Sequence, residues 1–259
     1  MSADTQKRPI AIASRKRSPG GPRPPYAVIF QGKTCLITGA AGNLGRAVAA
    51  AFASAGASLI LIDLDDKVLR SAYGRDDERK LLVRADLLDA ASVAQAVASV
   101  RFPRIDVLCN IAGGFRMGHP VHETPENVWE LMLDLNARSV INTARAVVPK
   151  MLAAGRGKIV NIGAVAGLAG KANMGAYSAS KSAVIRLTES MSAELRDKGI
   201  NVNCILPSVI DTPQNRADMP GTDPRRWVAP EALADVILFL ASDAARAIHG
   251  AAIPVTGLV

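Results

Sequence analysis

The chain has 259 residues, of which 49% are hydrophobic and only 4% aromatic. That is enough apolar material for one substantial core, and the wealth of Ala, Val, Leu, Ile and Gly suits helices packed closely on a parallel sheet. The formal net charge of +8 is uneven: residues 1–30 carry six basic side chains against one acidic, whereas residues 31–259 carry 25 against 22, interspersed as on a solvated surface, so charge does not make the folded part a polyanion binder.

Residues 1–26 hold five prolines, two glycines and clustered positive charge in RKRSPGGPRPP, and cannot bury enough apolar surface to offset their ordering entropy. They are expected to form a disordered basic extension. A nucleic-acid or membrane-surface arm, a targeting peptide and a plain solvated tail all remain open for it. Residues 27–259 are expected to form a single domain. No stretch approaches the roughly 18 consecutive apolar residues of a membrane span. Cys35, Cys109 and Cys204 each lie in an apolar run without ligand spacing, and His119 and His122 have no third partner nearby, so no metal is implied. Buried free cysteines suit a reducing compartment, and a cytoplasmic protein is expected.

From Gly32 onward, short β-rich runs alternate with Ala-rich helical stretches: TCLIT then RAVAAAFASAG, SLILID then a short polar helix, KLLVRAD then ASVAQAVASV, and IDVLCN then a long helix near 126–152. KIVNIG, a helix near 175–198, INVNCILP, a helix near 230–242 and AAIPVTG complete the series. Strand and helix repeated with right-handed crossovers predict an α/β fold, a doubly wound parallel sheet of about seven strands with helices on both faces. Ligands of such sheets bind at the carboxyl ends of the strands.

The first of those ends carries Thr38, Gly39, Ala40, Ala41, Gly42, Asn43, Leu44 and Gly45. Glycines there permit a tight turn and close backbone approach to a pyrophosphate, and the following helix offers free amides to it. Asp63, 24 positions past Gly39 at the end of SLILID, is placed to accept both hydroxyls of an adenosine ribose and to repel a 2′-phosphate. NAD is therefore favoured over NADP. The alternative for Asp63 is a cap on the next helix, a task open also to Asp65 and Asp66.

In order, TGAAGNLG, Asp86 in RADLLD, NIAG at 110–113, Asn136 in LDLNARS, YSASK at 177–181 and PSVIDT at 207–212 resemble the motifs of the short-chain dehydrogenase/reductase family. The resemblance spans Gly32 to Gly257. It implies that Asp86 and Leu87 flank the adenine, and that Asn110, Ala112 and Gly113 hold the adenosine side through backbone contacts. It also implies that the loop from Pro207 brings Ile210 and Thr212 to the nicotinamide end. Asn43 stands where the family has a glycine, and as the non-glycine residue most tolerant of left-handed backbone it is expected to preserve the turn.

Tyr177 and Lys181, four apart on a predicted helix, share one face. A neighbouring ammonium favours the phenolate, so Tyr177 is suited to exchange a substrate proton while hydride moves at nicotinamide. The resemblance adds a nicotinamide-ribose contact for Lys181 and a water-holding role for Asn136; a plain helix kink is the alternative for Asn136. Thirteen residues before Tyr177 the family has a serine that bonds the substrate oxygen, and this chain has Ala164 beside Gly163. Neither side chain can donate a hydrogen bond, and the two are expected to line the substrate pocket. The GA pair and the Met174–Gly175 segment look similar to quinonoid dihydropteridine reductase, a family member lacking that serine. Three readings follow: a conjugated imine or quinonoid substrate, a conventional carbonyl or alcohol with Ser178, Ser208 or another donor, or an NAD(H)-binding sensor without turnover. Residues 214–227 are expected to form a mobile polar lid whose Arg216, Arg225 and Arg226 either bind an acidic substrate or face solvent. The family pattern also implies a homotetramer or homodimer built on the two long helices, including the one bearing Tyr177.

Overall fold

The computed structural model describes residues 29–259, so the expectation for residues 1–26 lies outside the described residues. Seven parallel strands, β1 (Thr34–Thr38), β2 (Ser58–Asp63), β3 (Lys80–Arg84), β4 (Val107–Asn110), β5 (Gly157–Ile162), β6 (Ile200–Pro207) and β7 (Ala252–Val255), form one sheet in the order β3-β2-β1-β4-β5-β6-β7. The helices are α1 (Asn43–Ser54), α2 (Asp66–Tyr73), α3 (Ala90–Ala98), α4 (Glu126–Leu133), α5 (Ser139–Ala154), α6 (Gly175–Leu195), α7 (Pro213–Asp218) and α8 (Pro230–Ala241). The expected doubly wound fold is present.

Because helices cover both faces, the central strands read as continuous apolar runs and every residue of β1 is buried. The period of two then divides those runs between two cores. Cys35 and Ile37 face α1 and α8 with Val48, Phe52 and Ile237, while Leu36 faces α3 and α5 with Val93, Val147 and Met151. The thiols of Cys35 and Cys109 lie 3.9 Å apart inside the first core, and burial pushes the Cys35 thiol well up, which keeps it protonated and inert.

Two features fix the site's supports. The strand order reverses between β1 and β4, which opens a crevice at their carboxyl ends. A buried polar chain then crosses the sheet: Thr143 on α5 donates to Asn110 at 2.7 Å, Asn110 to Asn161 at 2.8 Å, and Asn161 to Thr188 on α6 at 2.9 Å. Apolar packing alone would leave those helices free to slide; directional bonds fix their register.

The long helix expected near 126–152 is interrupted. A wide π turn at Asp134–Arg138 separates α4 from α5. It carries Asn136, whose bonds to a neighbouring loop stabilise the extra residue in the helix.

Candidate active site

The glycine turn is pinned by side chains of β2, α2 and α1. The Ala41 amide donates to the Asp63 carboxylate at 2.9 Å, the Tyr73 hydroxyl donates to the Ala40 carbonyl at 2.6 Å, and Arg46 Nε donates to the Ala41 carbonyl at 2.7 Å. Burial raises the Tyr73 hydroxyl to about 12, so it stays a donor. Gly39 is left-handed (φ 62), and a Cβ there would stand 2.8 Å from Ala112 Cα. A Cβ on Gly45 would strike the Gly39 carbonyl. The turn therefore packs backbone on backbone and leaves its outer amides open.

Asn43 corrects an expectation. It is the first residue of α1 and has no positive φ, so the turn's left-handed residue is Gly39 and Asn43 needs no special tolerance. Asp63 does not cap α2; Asp65 does, accepting from the Lys67 and Val68 amides. The second Asp63 oxygen accepts the Leu64 amide at 2.8 Å. Asp63 thus stands partly exposed on a groove of about 420 Å³ lined by Gly39, Gly42, Asn43, Leu44, Gly45, Ala112, Gly113 and Thr212 among others.

Asp86, Leu87, Asn110, Pro207 and Ile210 do not line that groove. Asp86 is exposed and caps its own turn through the Leu88 amide, and the Leu87 carbonyl accepts from Asn142. Asn110 is buried with its side chain committed to the polar chain, so only its backbone faces the crevice end of β4. Pro207 ends β6, the Ile210 carbonyl accepts from Asn215, and Thr212 caps α7 through the Asn215 amide.

Tyr177 and Lys181 lie on the first turns of α6. Burial pushes the Tyr177 phenol up to about 12 and the Lys181 ammonium down to about 8. Lys181 Nζ donates to the Ile162 carbonyl at 2.9 Å. It reaches the groove: a Cβ on Gly113 would stand 3.3 Å from Lys181 Nζ and 2.7 Å from Asn136 Oδ1. Asn136 accepts the Gly114 amide at 3.0 Å and donates to the Gly114 carbonyl and to Ser180 Oγ. Both its N–H groups are thereby used, and it acts as a brace between the loop after β4 and α6. Ser180, which donates on to the Tyr177 carbonyl at 2.7 Å, was not singled out in the sequence; its place inside YSASK is the one signal for it.

Gly163 is also corrected. A Cβ there would strike Leu206 at 2.5 Å, so the missing side chain faces the core and not a substrate. Ala164 is extended and buried, presenting only a methyl. Of the alternative donors, Ser208 is committed to the Thr256 carbonyl at 2.8 Å, and Ser178 Oγ is buried with no partner among the described residues. The segment expected as a loop lid contains α7 and a 3-10 turn at Pro224–Arg226. Arg216 makes a forked pair with Asp211 at 2.6 and 2.7 Å, Arg225 pairs with Asp223, and Arg226 donates to the Leu258 carbonyl.

A doubly wound parallel sheet with a glycine turn and acidic residue at its switch point defines a dinucleotide-binding α/β protein. The cradle fits a dinucleotide: close backbone, open amides at the α1 N-terminus and a carboxylate at the β2 end. The short chain dehydrogenase family profile matches residues 33–222. The chain is 35% identical over 244 residues to cis-4-hydroxycyclohexanecarboxylate dehydrogenase of Sinomonas cyclohexanicum, covering 88% of this chain and 96% of that protein. It is 34% identical over 242 residues to 3-oxoacyl-[acyl-carrier-protein] reductase FabG of Thermotoga maritima, covering 88% and 98%. Among solved structures, NAD+-bound xylitol dehydrogenase superposes with a TM-score of 0.81 at 30% identity, covering 88% of this chain and 99% of that one. The chain belongs to the short-chain dehydrogenase/reductase family of nicotinamide-dependent oxidoreductases. Among the described residues, no helix is long and apolar enough to cross a membrane.

Proposed function

We propose that the protein transfers hydride between NAD(H), in preference to NADP(H), and a small carbonyl, alcohol or conjugated imine or quinonoid substrate, with Tyr177 and Lys181 moving the accompanying proton. The observation that carries the reading is the buried Lys181 ammonium on the groove edge beside Gly113, one helical turn from Tyr177. The bound nicotinamide supplies the hydride site. Tyr177, neutral well above physiological pH, gives its hydroxyl proton to the substrate oxygen or nitrogen during reduction. Lys181, charged at pH 7, stabilises the phenolate left behind. Asn136 keeps the loop after β4 braced against α6. Gly39, Gly42, Asn43, Leu44 and Gly45 offer backbone to the pyrophosphate, and Asp63 takes the adenosine ribose hydroxyls and disfavours a 2′-phosphate. Asp86, Leu87, Asn110, Ala112 and Gly113 complete the adenosine side, and Pro207, Ile210 and Thr212 the nicotinamide side.

Ala164 favours a second reading, an NAD(H)-binding sensor, because the site lacks one donor for substrate. One titration and one assay separate them. NADH should bind the parent protein more tightly than NADPH, with the gap narrowed in Asp63→Ala, and Tyr177→Phe should lose turnover while keeping NADH affinity. Equal affinities in the parent would remove the reading of Asp63, and turnover surviving in Tyr177→Phe would remove that of Tyr177. Binding of NADH without oxidation by any ketone, aldehyde, quinone or quinonoid pterin would leave the sensor. Self-association as a homotetramer or homodimer is proposed through the two long helices, the α4–α5 helix, where Leu133, Ala137, Ile141 and Arg145 line a shallow trough at the surface, and α6, which bears Tyr177.

A further inference from the structure

We infer that Phe115 is the wall of the substrate site and selects alicyclic or aromatic ring alcohols and ketones over open-chain ones. The inference rests on the reading of Tyr177 as the proton-transfer group and names the class of molecule that group meets. Phe115 stands edge-to-face on Tyr177, with ring centroids 4.8 Å apart and planes at 87°. Tyr177 is half-buried beneath it, and Phe115 is 46% exposed. One side of it seats the phenol and the other stays open where a molecule presenting its oxygen to Tyr177 would lie.

The surroundings extend that face. Met117, Val121 and Leu168 are also large, apolar and exposed. Their backbones are fastened beside Tyr177. The Gly118 amide donates to the Asn173 carbonyl at 2.9 Å, His119 bridges to Met174, and Val121 Cγ2 fills the space of a Gly175 side chain, 2.8 Å from where its Cβ would be. Leu168 follows Gly167, whose Cβ would stand 2.8 Å from the Lys181 carbonyl carbon. Two loops, one after β4 and one after β5, therefore pack against the first two turns of α6. Ala164 contributes a methyl where the family's serine would offer a hydroxyl. A ring matches this face on two counts: it offers flat apolar area to Phe115, and it has few torsions to freeze on binding, whereas an open chain of equal carbon count loses rotamer freedom.

The test uses six-carbon pairs. Cyclohexanol and hexan-2-ol are titrated into the full chain saturated with NADH, a dead-end complex in which no hydride moves, and cyclohexanone and hexan-2-one are assayed for NADH oxidation. The parent protein is expected to bind cyclohexanol about ten-fold more tightly than hexan-2-ol; Phe115→Ala should reduce that ratio to about two-fold or less, and Phe115→Trp, which keeps a flat face, should retain it. Phe115→Leu replaces Phe115→Ala if the smaller side chain impairs folding, and should lose the preference as well. Equal binding of the two alcohols in the parent, or an unchanged ratio in Phe115→Ala, overturns the inference. The outcomes are separable from those of the proposed reaction. Ring preference without oxidation of NADH by either ketone, or by any aldehyde, quinone or quinonoid pterin, sinks hydride transfer and leaves the wall, and equal turnover of both ketones with no ring preference sinks the wall and leaves hydride transfer.

Discussion

Lys181 is a charged group held in the protein interior against its solvation, and its replacement by Met should stabilise the cofactor-free protein while destroying activity. Burial lowers its pKa from the ordinary 10.5 to about 8. At about 1.4 kcal/mol per pH unit, that displacement costs the folded state about 3 kcal/mol at pH 7. Methionine has similar length and no charge, but forfeits the bond to the Ile162 carbonyl, worth about 1 kcal/mol. The net expectation is a gain of about 2 kcal/mol for Lys181→Met at pH 7. The sign of the pH dependence follows from proton counting. Between about pH 8 and 10.5 the unfolded chain keeps the lysine proton that the folded chain has released, so parent stability rises with pH there and the variant's advantage shrinks. By pH 10 the two should be nearly equal. Urea unfolding at pH 7 and pH 10 measures both differences. A variant less stable than the parent at pH 7, or an advantage that persists at pH 10, would refute the reasoning.

Tyr73→Phe removes only the hydroxyl that holds the Ala40 carbonyl, so it should weaken NADH binding by about three- to ten-fold with kcat nearly unchanged; isothermal titration and steady-state kinetics together check the split. Ala164→Ser restores a hydroxyl thirteen residues before Tyr177 and should raise kcat/KM for simple ketones by about ten-fold or more. An unchanged rate in that variant, with NADH affinity intact, would mean that the site does not use a second donor.

The sheet was legible because its signals are local. Continuous apolar runs separated by Ala-rich stretches set the order of elements, and the glycines of TGAAGNLG combined with an acid at the next strand end marked the cradle. Tyr177 and Lys181 were legible because four-residue spacing on a helix is itself a spatial statement. What escaped depends on encounters between distant segments. Tyr73 meets Ala40 across 33 positions and Asn136 meets Ser180 across 44, and no periodicity reports such meetings. Gly163 and Asn43 were misread for a related reason: their roles in a motif were visible, but the direction of a side chain and the sign of φ are set by neighbours such as Leu206 and Gly39. Phe115, one aromatic in a loop, carries no sequence signal of its own, and only its stacking on Tyr177 gives it meaning.

The polar chain from Thr143 through Asn110 and Asn161 to Thr188 constrains how this sequence can diverge. Its donors all run one way, ending where Thr188 donates to the Val184 carbonyl at 2.8 Å. Exchanging any one amide for leucine strands the partners on either side in a dry interior, whereas exchanging a whole bonded set for apolar side chains of similar volume is nearly neutral. Single apolar exchanges at Asn110, Asn161 or Thr188 therefore cost this chain more than joint ones, about 1–3 kcal/mol for each stranded group, so the four residues are coupled in what they can become.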